Sequence, residues 1–179
     1  MTVEFRLLGE VEVRVKGRAV DIGHARQRVV LAVLLVEANR TVPVSVLLDR
    51  VWGDRLPQRA RNALSGYVSR IRRLLSEAGE VSLVRLPEGY RLSVEATAID
   101  LHLFTDLVSR ARQAADHDDA MRLLEQALGL WRGEAFGGLE NAWLAGLRVS
   151  LDGQRLDAEL DRNDVALRLK PWGDKPAPV

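Results

Sequence analysis

Hydrophobic and polar positions alternate strictly at the start of the chain. Val3, Phe5 and Leu7 stand opposite Thr2, Glu4 and Arg6, and Val11, Val13 and Val15 alternate with Glu12, Arg14 and Lys16. A period of two gives a strand one apolar face, so the pattern predicts a small antiparallel sheet with turns at Gly9-Glu10 and Lys16-Gly17. From His24 to Ala38 the period lengthens: Val29, Val30, Val33, Leu34 and Val36 predict a buried helix ended near Asn39, with Asn39-Arg40-Thr41 as a break. Pro43 suits a first helical position, and Val44, Leu47, Leu48 and Val51 recur at helical spacing until Gly53 stops the run after Trp52. At about 100° per residue, Ala60, Leu64, Val68, Ile71 and Leu75 form one stripe, predicting a third helix from Pro57 to Ser76. Val81, Leu83 and Leu86 then face Tyr90, Leu92 and Val94 across Pro87-Glu88-Gly89, a hairpin in which Gly89 is expected to supply a positive φ.

The order of sheet, three helices and hairpin fits the winged helix-turn-helix plan, an α+β unit over residues 1–95, in which the third helix is expected to be the recognition helix and the hairpin the wing. Residues 96–170 read as all-α. Leu101, Phe104, Leu107, Val108 and Ala111 mark one helix opened by Asp100, and Ala120, Leu123, Leu124, Ala127, Leu128 and Trp131 mark a second stopped by Gly133. The acidic cluster Asp116, Asp118 and Asp119 fits that second helix's N-terminus. The pair resembles a tetratricopeptide-like hairpin. A third helical region from Asn141 to Lys170 offers Leu144, Leu147, Val149, Leu151, Leu156, Leu160, Val165, Leu167 and Leu169 as core positions. Helical repeats bury their faces against neighbours, so part of this row is expected to stay exposed or to pack back on the winged helix. Residues 171–179 are Pro-rich and are expected to be a disordered tail. On this division residues 1–95 suffice for DNA binding.

Charge sharpens the division. The net charge of +1 over 179 residues conceals 16 Lys plus Arg against 10 Asp plus Glu in residues 1–94, and 10 against 15 in the remainder. A basic first half suits a phosphate backbone, and an acidic second half suits protein. The third helix concentrates this: Asn62, Ser65, Gly66, Ser69, Arg72 and Arg73 oppose its apolar stripe, and no acidic residue falls between Pro57 and Leu75. Solvated helices usually mix signs, so the face reads as one for close approach to a polyanion, with open water or an acidic protein as the plainer readings. There is no cysteine, and His24, His102 and His117 are isolated, so neither a metal site nor a cofactor is expected. No phosphate-cradling loop, nucleophile elbow or zinc-protease motif is present, and the chain is read as no enzyme. The longest apolar run, Val29 to Val36, is far short of the about 20 residues a span needs, and the start lacks a signal peptide's plan, so no membrane association and a cytoplasmic location are expected.

Arg50-Val51-Trp52-Gly53, Tyr67-Val68-Ser69-Arg70-Ile71-Arg72-Arg73-Leu74 and Gly89-Tyr90-Arg91-Leu92 resemble the DNA-binding domain of OmpR/PhoB-type regulators. Phe5-Arg6-Leu7-Leu8-Gly9, Asn39-Arg40-Thr41-Val42 and Ala127-Leu128-Gly129-Leu130-Trp131-Arg132-Gly133 bring the resemblance closer to the Streptomyces antibiotic regulatory protein family, in which a bacterial transcriptional activator domain follows the winged helix. The resemblance implies that Trp52 and Tyr90 lie against phosphates, Arg70 reaches bases in the major groove and Arg72 supports it on the backbone. From the residues themselves, Trp52 and Tyr90 suit a structural anchor equally well. The helical wheel favours Asn62, Ser69 and Arg73 at the centre of the exposed face, with Ser65 beside them. The wing tip Leu86-Pro87-Glu88 departs from the basic tips of relatives, which leaves Arg85 and Arg91 as the wing contacts. The family normally supplies more helices after Lys170, so the activator domain is expected to be shortened. The implied function is a transcriptional activator of a secondary-metabolite, antibiotic-type gene cluster, monomeric in solution, pairing on direct repeats of double-stranded DNA and contacting RNA polymerase. The alternative is a shortened regulator acting as a protein-interaction module or as a competitor for DNA without activation.

Overall fold

The computed structural model describes residues 3–169; the expected tail over 171–179 lies outside them. Strands β1 (Val3–Arg6), β2 (Glu12–Val15) and β3 (Arg18–Val20) form an antiparallel sheet in which Phe5 pairs with Val13 and Val13 with Val20. The third strand has too few residues to show alternation. It exists because Lys16 and Gly17 both take positive φ (52° and 77°), the backbone of a tight hairpin turn.

Helix α1 (Ala25–Val36) ends as expected before Asn39, which sits at φ 67°. Strand β4 (Thr41–Pro43) follows and runs directly into α2 (Val44–Trp52). Helix α3 is Ala60–Leu75, continued by a 3-10 turn at Ser76–Ala78. Strands β5 (Ser82–Arg85) and β6 (Gly89–Ser93) form the wing, and the second sheet has the order β4-β6-β5. The winged helix-turn-helix is therefore complete, with three corrections to the sequence reading.

Pro57 to Arg59 are not helical: the Ala60 amide donates to the Pro57 carbonyl at 3.1 Å in a turn, so α3 starts with its apolar stripe at Ala60, three residues after the expected start at Pro57. The segment read as a break, Asn39-Arg40-Thr41, leads into β4, whose hydrogen-bonding partner β6 lies far along the chain. Asn39 fixes that pairing by accepting from the Val94 amide at 3.0 Å and donating to its carbonyl at 2.9 Å. Gly89 does not supply a positive φ. Leu86 and Gly89 instead exchange backbone hydrogen bonds of 2.8 and 3.2 Å around Pro87-Glu88. A Cβ on Gly89 would fall on the Val42 carbonyl and lie 2.8 Å from Pro43 Cα, so the glycine answers to the close passage of β4.

Helices α4 (Asp100–Gln113), α5 (His117–Gly129) and α6 (Ala142–Leu169) make the second half. The Asp116 carboxylate caps α5 by accepting the Asp119 amide at 3.1 Å, as the acidic cluster suggested. Trp131 lies beyond the end of α5, edge-on to Phe104 at 5.5 Å, because α5 stops at Gly129 rather than running towards Gly133. On α6 only Leu144, Leu151 and Ala158 are buried. Val149, Leu156, Leu160 and Leu167 are 74%, 55%, 57% and 67% exposed, the part of the row that was expected to stay outside the core. A helix with neighbours on one side can bury only one stripe.

One buried cluster contains Phe5, Leu7 and Leu8 together with Ile99, Phe104 and Phe136, so the core continues across residue 95. The strap between α5 and α6 runs beside the β1–β2 turn: Arg132, Phe136 and Gly137 amides donate to the Leu8, Leu7 and Gly9 carbonyls at 2.8, 2.8 and 2.9 Å. Arg148 of α6 holds the strap by donating to the Ala135 carbonyl at 2.8 Å. The Asp100 carboxylate accepts the Leu7 and Leu8 amides at 2.7 and 3.0 Å. Burial raises the Asp100 pKa, opposed by those two amides and by the Arg132 guanidinium at 3.8 Å.

Asp100→Asn is expected to destabilise the protein by about 1–3 kcal/mol, because its amide nitrogen would face a backbone donor in a buried site. The raised pKa adds a sign that chemical denaturation at several pH values can read. Stability linked to Asp100 is fullest below the ordinary aspartate pKa and falls as pH rises through the raised one. The variant should lack that slope; an unchanged slope and an unchanged midpoint would remove Asp100 from this role.

Candidate nucleic-acid interface

The candidate interface is built on α3, whose buried stripe is Ala60, Leu64, Val68, Ile71 and Leu75, the five positions the sequence pattern selected. Fixing that stripe against α1, α2 and β5 turns the opposite face outward, where Arg61, Asn62, Ser65, Ser69, Arg70 and Arg73 are all exposed. With no carboxylate on the helix, nothing on α3 itself neutralises this face, and the short Asn and Ser side chains let a ligand approach the backbone between the arginines. Arg72 is differently placed. Its Nε donates to the Leu83 carbonyl of β5 at 2.8 Å, so the guanidinium ties α3 to the wing.

Trp52, the last residue of α2, is half-buried and stacks on Tyr67 of α3 at 6.3 Å and 24°. His24, just before α1, meets the Tyr67 ring edge-on at 5.2 Å. Arg26 lies 5.8 Å over Trp52 and donates to the Val51 carbonyl at 2.8 Å. The aromatic pair thus locks the end of α2 to the middle of α3, with a partly exposed guanidinium beside it. His24, Arg26, Tyr67 and Arg61 were not singled out as site residues by sequence reasoning. Arg61 had a signal, since it lies in the acid-free stretch. His24 and Arg26 had none, because only the packing of α1 brings them beside α3.

In the wing, Tyr90 is 3% exposed. Its hydroxyl accepts from Arg85 Nη1 at 3.2 Å, and the same guanidinium sits 5.6 Å from its ring centre. Tyr90 is thus a core residue that presents its hydroxyl and orients Arg85, while Arg85 and Arg91 are exposed. The second half braces this surface from behind. Asn141 Nδ2 donates to the Arg50 and Val51 carbonyls at 2.9 and 3.3 Å while its Oδ1 accepts the Leu144 amide at 2.9 Å, joining the C-terminus of α2 to the N-terminus of α6. Arg50 adds a contact 4.4 Å over Trp143 and a 2.8 Å ion pair with Glu37. Among the described residues no helix is long and apolar enough to cross a membrane.

Comparison with known proteins agrees with this fold. Residues 18–92 match the family "Transcriptional regulatory protein, C terminal", and residues 99–174 match "Bacterial transcriptional activator domain". The chain is 32% identical over 170 residues to regulatory protein AfsR of Streptomyces griseus, covering 93% of this chain and 17% of that protein. It is 34% identical over 141 residues to transcriptional regulator RedD of Streptomyces coelicolor, covering 74% of this chain and 40% of that one. A solved structure of Mycobacterium tuberculosis EmbR in complex with a low affinity phosphopeptide superposes with a TM-score of 0.87 at 30% identity, over 92% of this chain and 45% of that one. The chain spans less than half the length of each of these relatives. With a winged helix followed by an activator-type helical unit, and with relatives that are themselves transcriptional regulators, the chain belongs to the Streptomyces antibiotic regulatory protein family.

Proposed function

We propose that this transcriptional regulator binds double-stranded DNA sequence-specifically, with α3 in the major groove and the wing alongside. The observation that carries the reading is the outward face of α3: Asn62, Ser65, Ser69, Arg70 and Arg73 exposed together on a helix without a carboxylate. Arg70 and Arg73 are the base-reading candidates, since an Arg fork matches the guanine edge in the major groove. Trp52, Arg85 and Arg91 are the phosphate candidates, Tyr90 acts through Arg85, and Arg72 acts by holding the wing to α3. By the family resemblance, two copies dock head-to-tail on direct repeats, the chain is a cytoplasmic monomer off DNA, and it activates a secondary-metabolite gene cluster by contact with RNA polymerase. The relatives AfsR and RedD, a regulatory protein and a transcriptional regulator of Streptomyces, favour a role in transcription.

Selection of bound DNA from a random pool tests the proposal. The expected product is a motif repeated in tandem at about one helical turn, near 10–11 base pairs. Repeating the selection with Arg70→Ala or Arg73→Ala should relax preference at individual positions and cost about 1–3 kcal/mol for each lost bidentate contact. Loss of a phosphate contact, as in Arg91→Ala, should instead flatten the salt dependence by roughly 0.9 in slope without altering the motif. No enriched motif would remove sequence-specific binding, and an inverted repeat would remove tandem docking.

A further inference from the structure

The outward face of α3 has two edges, and different elements stand at each. At about 100° per residue, Arg72 and Tyr67 fall on opposite sides of Asn62, Ser69 and Arg73. Arg72 is tied to β5 through the Leu83 carbonyl, so its edge is the wing edge. Tyr67 stacks on Trp52 and is met edge-on by His24, so its edge is shared with the end of α2 and the start of α1. A helix about 10–12 Å across fills a major groove about 12 Å wide, and so meets a phosphate backbone at both edges. The wing edge has the exposed cations Arg85 and Arg91. At the other edge Trp52 carries no charge to offer.

Arg26 supplies that charge. Its Nη1 donates to the Val51 carbonyl at 2.8 Å, and its guanidinium lies 5.8 Å from the Trp52 ring centre. The rest of the guanidinium makes no hydrogen bond or ion pair among the described residues. The Trp52 indole N–H and the Tyr67 hydroxyl have no hydrogen-bond partner among them either, and neither is shut off from solvent. Three donors of different kinds therefore stand beside the exposed face of α3 with acceptor positions to fill. A phosphate oxyanion accepts from all three, and most strongly from the cation. Capping the last carbonyls of α2 would occupy only one N–H of Arg26 and neither of the other donors.

We propose that Arg26, together with Trp52 and Tyr67, forms a phosphate clamp on the DNA strand that borders α3 on the side away from the wing. The proposal rests on the reading of α3 as the helix in the major groove. A phosphate carries no sequence information, so the clamp sets the depth and angle of α3 rather than its preference. Arg70, three residues on from Tyr67 and on the same side of the helix, then reaches the bases from a fixed position.

The test compares Arg26→Gln, which keeps an N–H for the Val51 carbonyl and drops the charge, with Arg26→Lys, which keeps the charge. Affinity of the intact chain for a duplex carrying the selected motif is followed across salt concentration, with Arg91→Ala as the wing-side reference. Arg26→Gln is expected to lower the slope of log affinity against log salt by about 0.9, with an unchanged motif and thermal midpoint, while Arg26→Lys keeps the parent slope. Ethylation of single phosphates locates the contact. One ethylated phosphate on the strand away from the wing should weaken the parent and Arg26→Lys but not weaken Arg26→Gln further, and the phosphate to which Arg91→Ala becomes insensitive should lie on the opposite strand. If Arg91→Ala flattens the slope and Arg26→Gln does not, the clamp falls and the reading of α3 stands. A lower thermal midpoint for Arg26→Gln with the parent's ethylation pattern would make Arg26 a cap of α2 and overturn the clamp as well. Binding to no duplex, or unchanged slopes in both variants, would remove the reading of α3 and the wing, and the clamp with it.

Discussion

A fragment ending at residue 95 is expected to lose most of its folding stability. The sequence draws its boundary there, because composition and period both change, yet Phe5, Leu7 and Leu8 are fully buried in a cluster that also contains Ile99, Phe104 and Phe136. Fully burying one such side chain is worth about 1.5–3 kcal/mol, and a native domain has only about 5–15 kcal/mol in all. Uncovering even part of this set therefore removes a large share. The cut also deletes Asp100, which gathers the Leu7 and Leu8 amides, and the strap that satisfies the carbonyls of Leu7, Leu8 and Gly9. Those backbone groups turn to water, so their loss costs less than the apolar exposure does. The brace from Asn141 to the end of α2 goes too. Urea denaturation followed by circular dichroism should show a midpoint far below that of the intact chain, or no cooperative transition, with DNA binding weakened in proportion. A fragment that unfolds cooperatively at the intact chain's midpoint and binds DNA with the same affinity would show that the two halves are energetically independent.

Gly89→Ala should be the most damaging single methyl group that can be added to the winged helix. The added Cβ would meet the Val42 carbonyl and the Pro43 backbone, and a backbone cannot swing aside as a side chain can. Overpacking usually costs about 1–3 kcal/mol, and here relief requires parting β4 from β6, so a loss at or above the top of that range is expected. Parting those strands also shifts the start of α2, since the Val44 amide donates to the Glu88 carbonyl at 3.2 Å. Gly66→Ala provides the opposite sign in the same experiment. Nothing lies within 4 Å of its added Cβ, and alanine is favoured over glycine in a helix by about 1 kcal/mol. Thermal unfolding of both variants checks the pair, and a Gly89→Ala protein as stable as the parent would disprove the close approach of β4.

How much of this was legible beforehand differs by element. The buried stripe of α3 and the end of α2 at Trp52 followed from the sequence, because each is an amphipathic helix whose period alone selects a face; Pro43, read as the first helical residue of α2, instead ends β4 by pairing with Gly89. The exposed set Asn62, Ser65, Ser69 and Arg73 followed from the same wheel. Arg72 looked equivalent to Arg73, and only the approach of β5 gave its guanidinium the Leu83 carbonyl. Tyr90 allowed a phosphate contact or a place in the core, and its pairing in a central strand decided for the core. The aromatic contact of Trp52 with Tyr67 and the position of Arg26 over it needed three helices to meet.

The sequence by itself determined the order of elements, the helix faces and the change of charge between the halves, since these depend on residues close enough along the chain to share one face or one turn. The tertiary structure alone decided what depends on distant partners. Strand β4 exists only because β6 satisfies its backbone, Gly89 is required only because β4 passes over it, and Asp100 has a role only where β1 ends beside α4. The second half joins the first through one core rather than a linker, and α6 buries one apolar row and leaves the other outside, because a hydrophobic position is stabilised only where a neighbour arrives to exclude water from it.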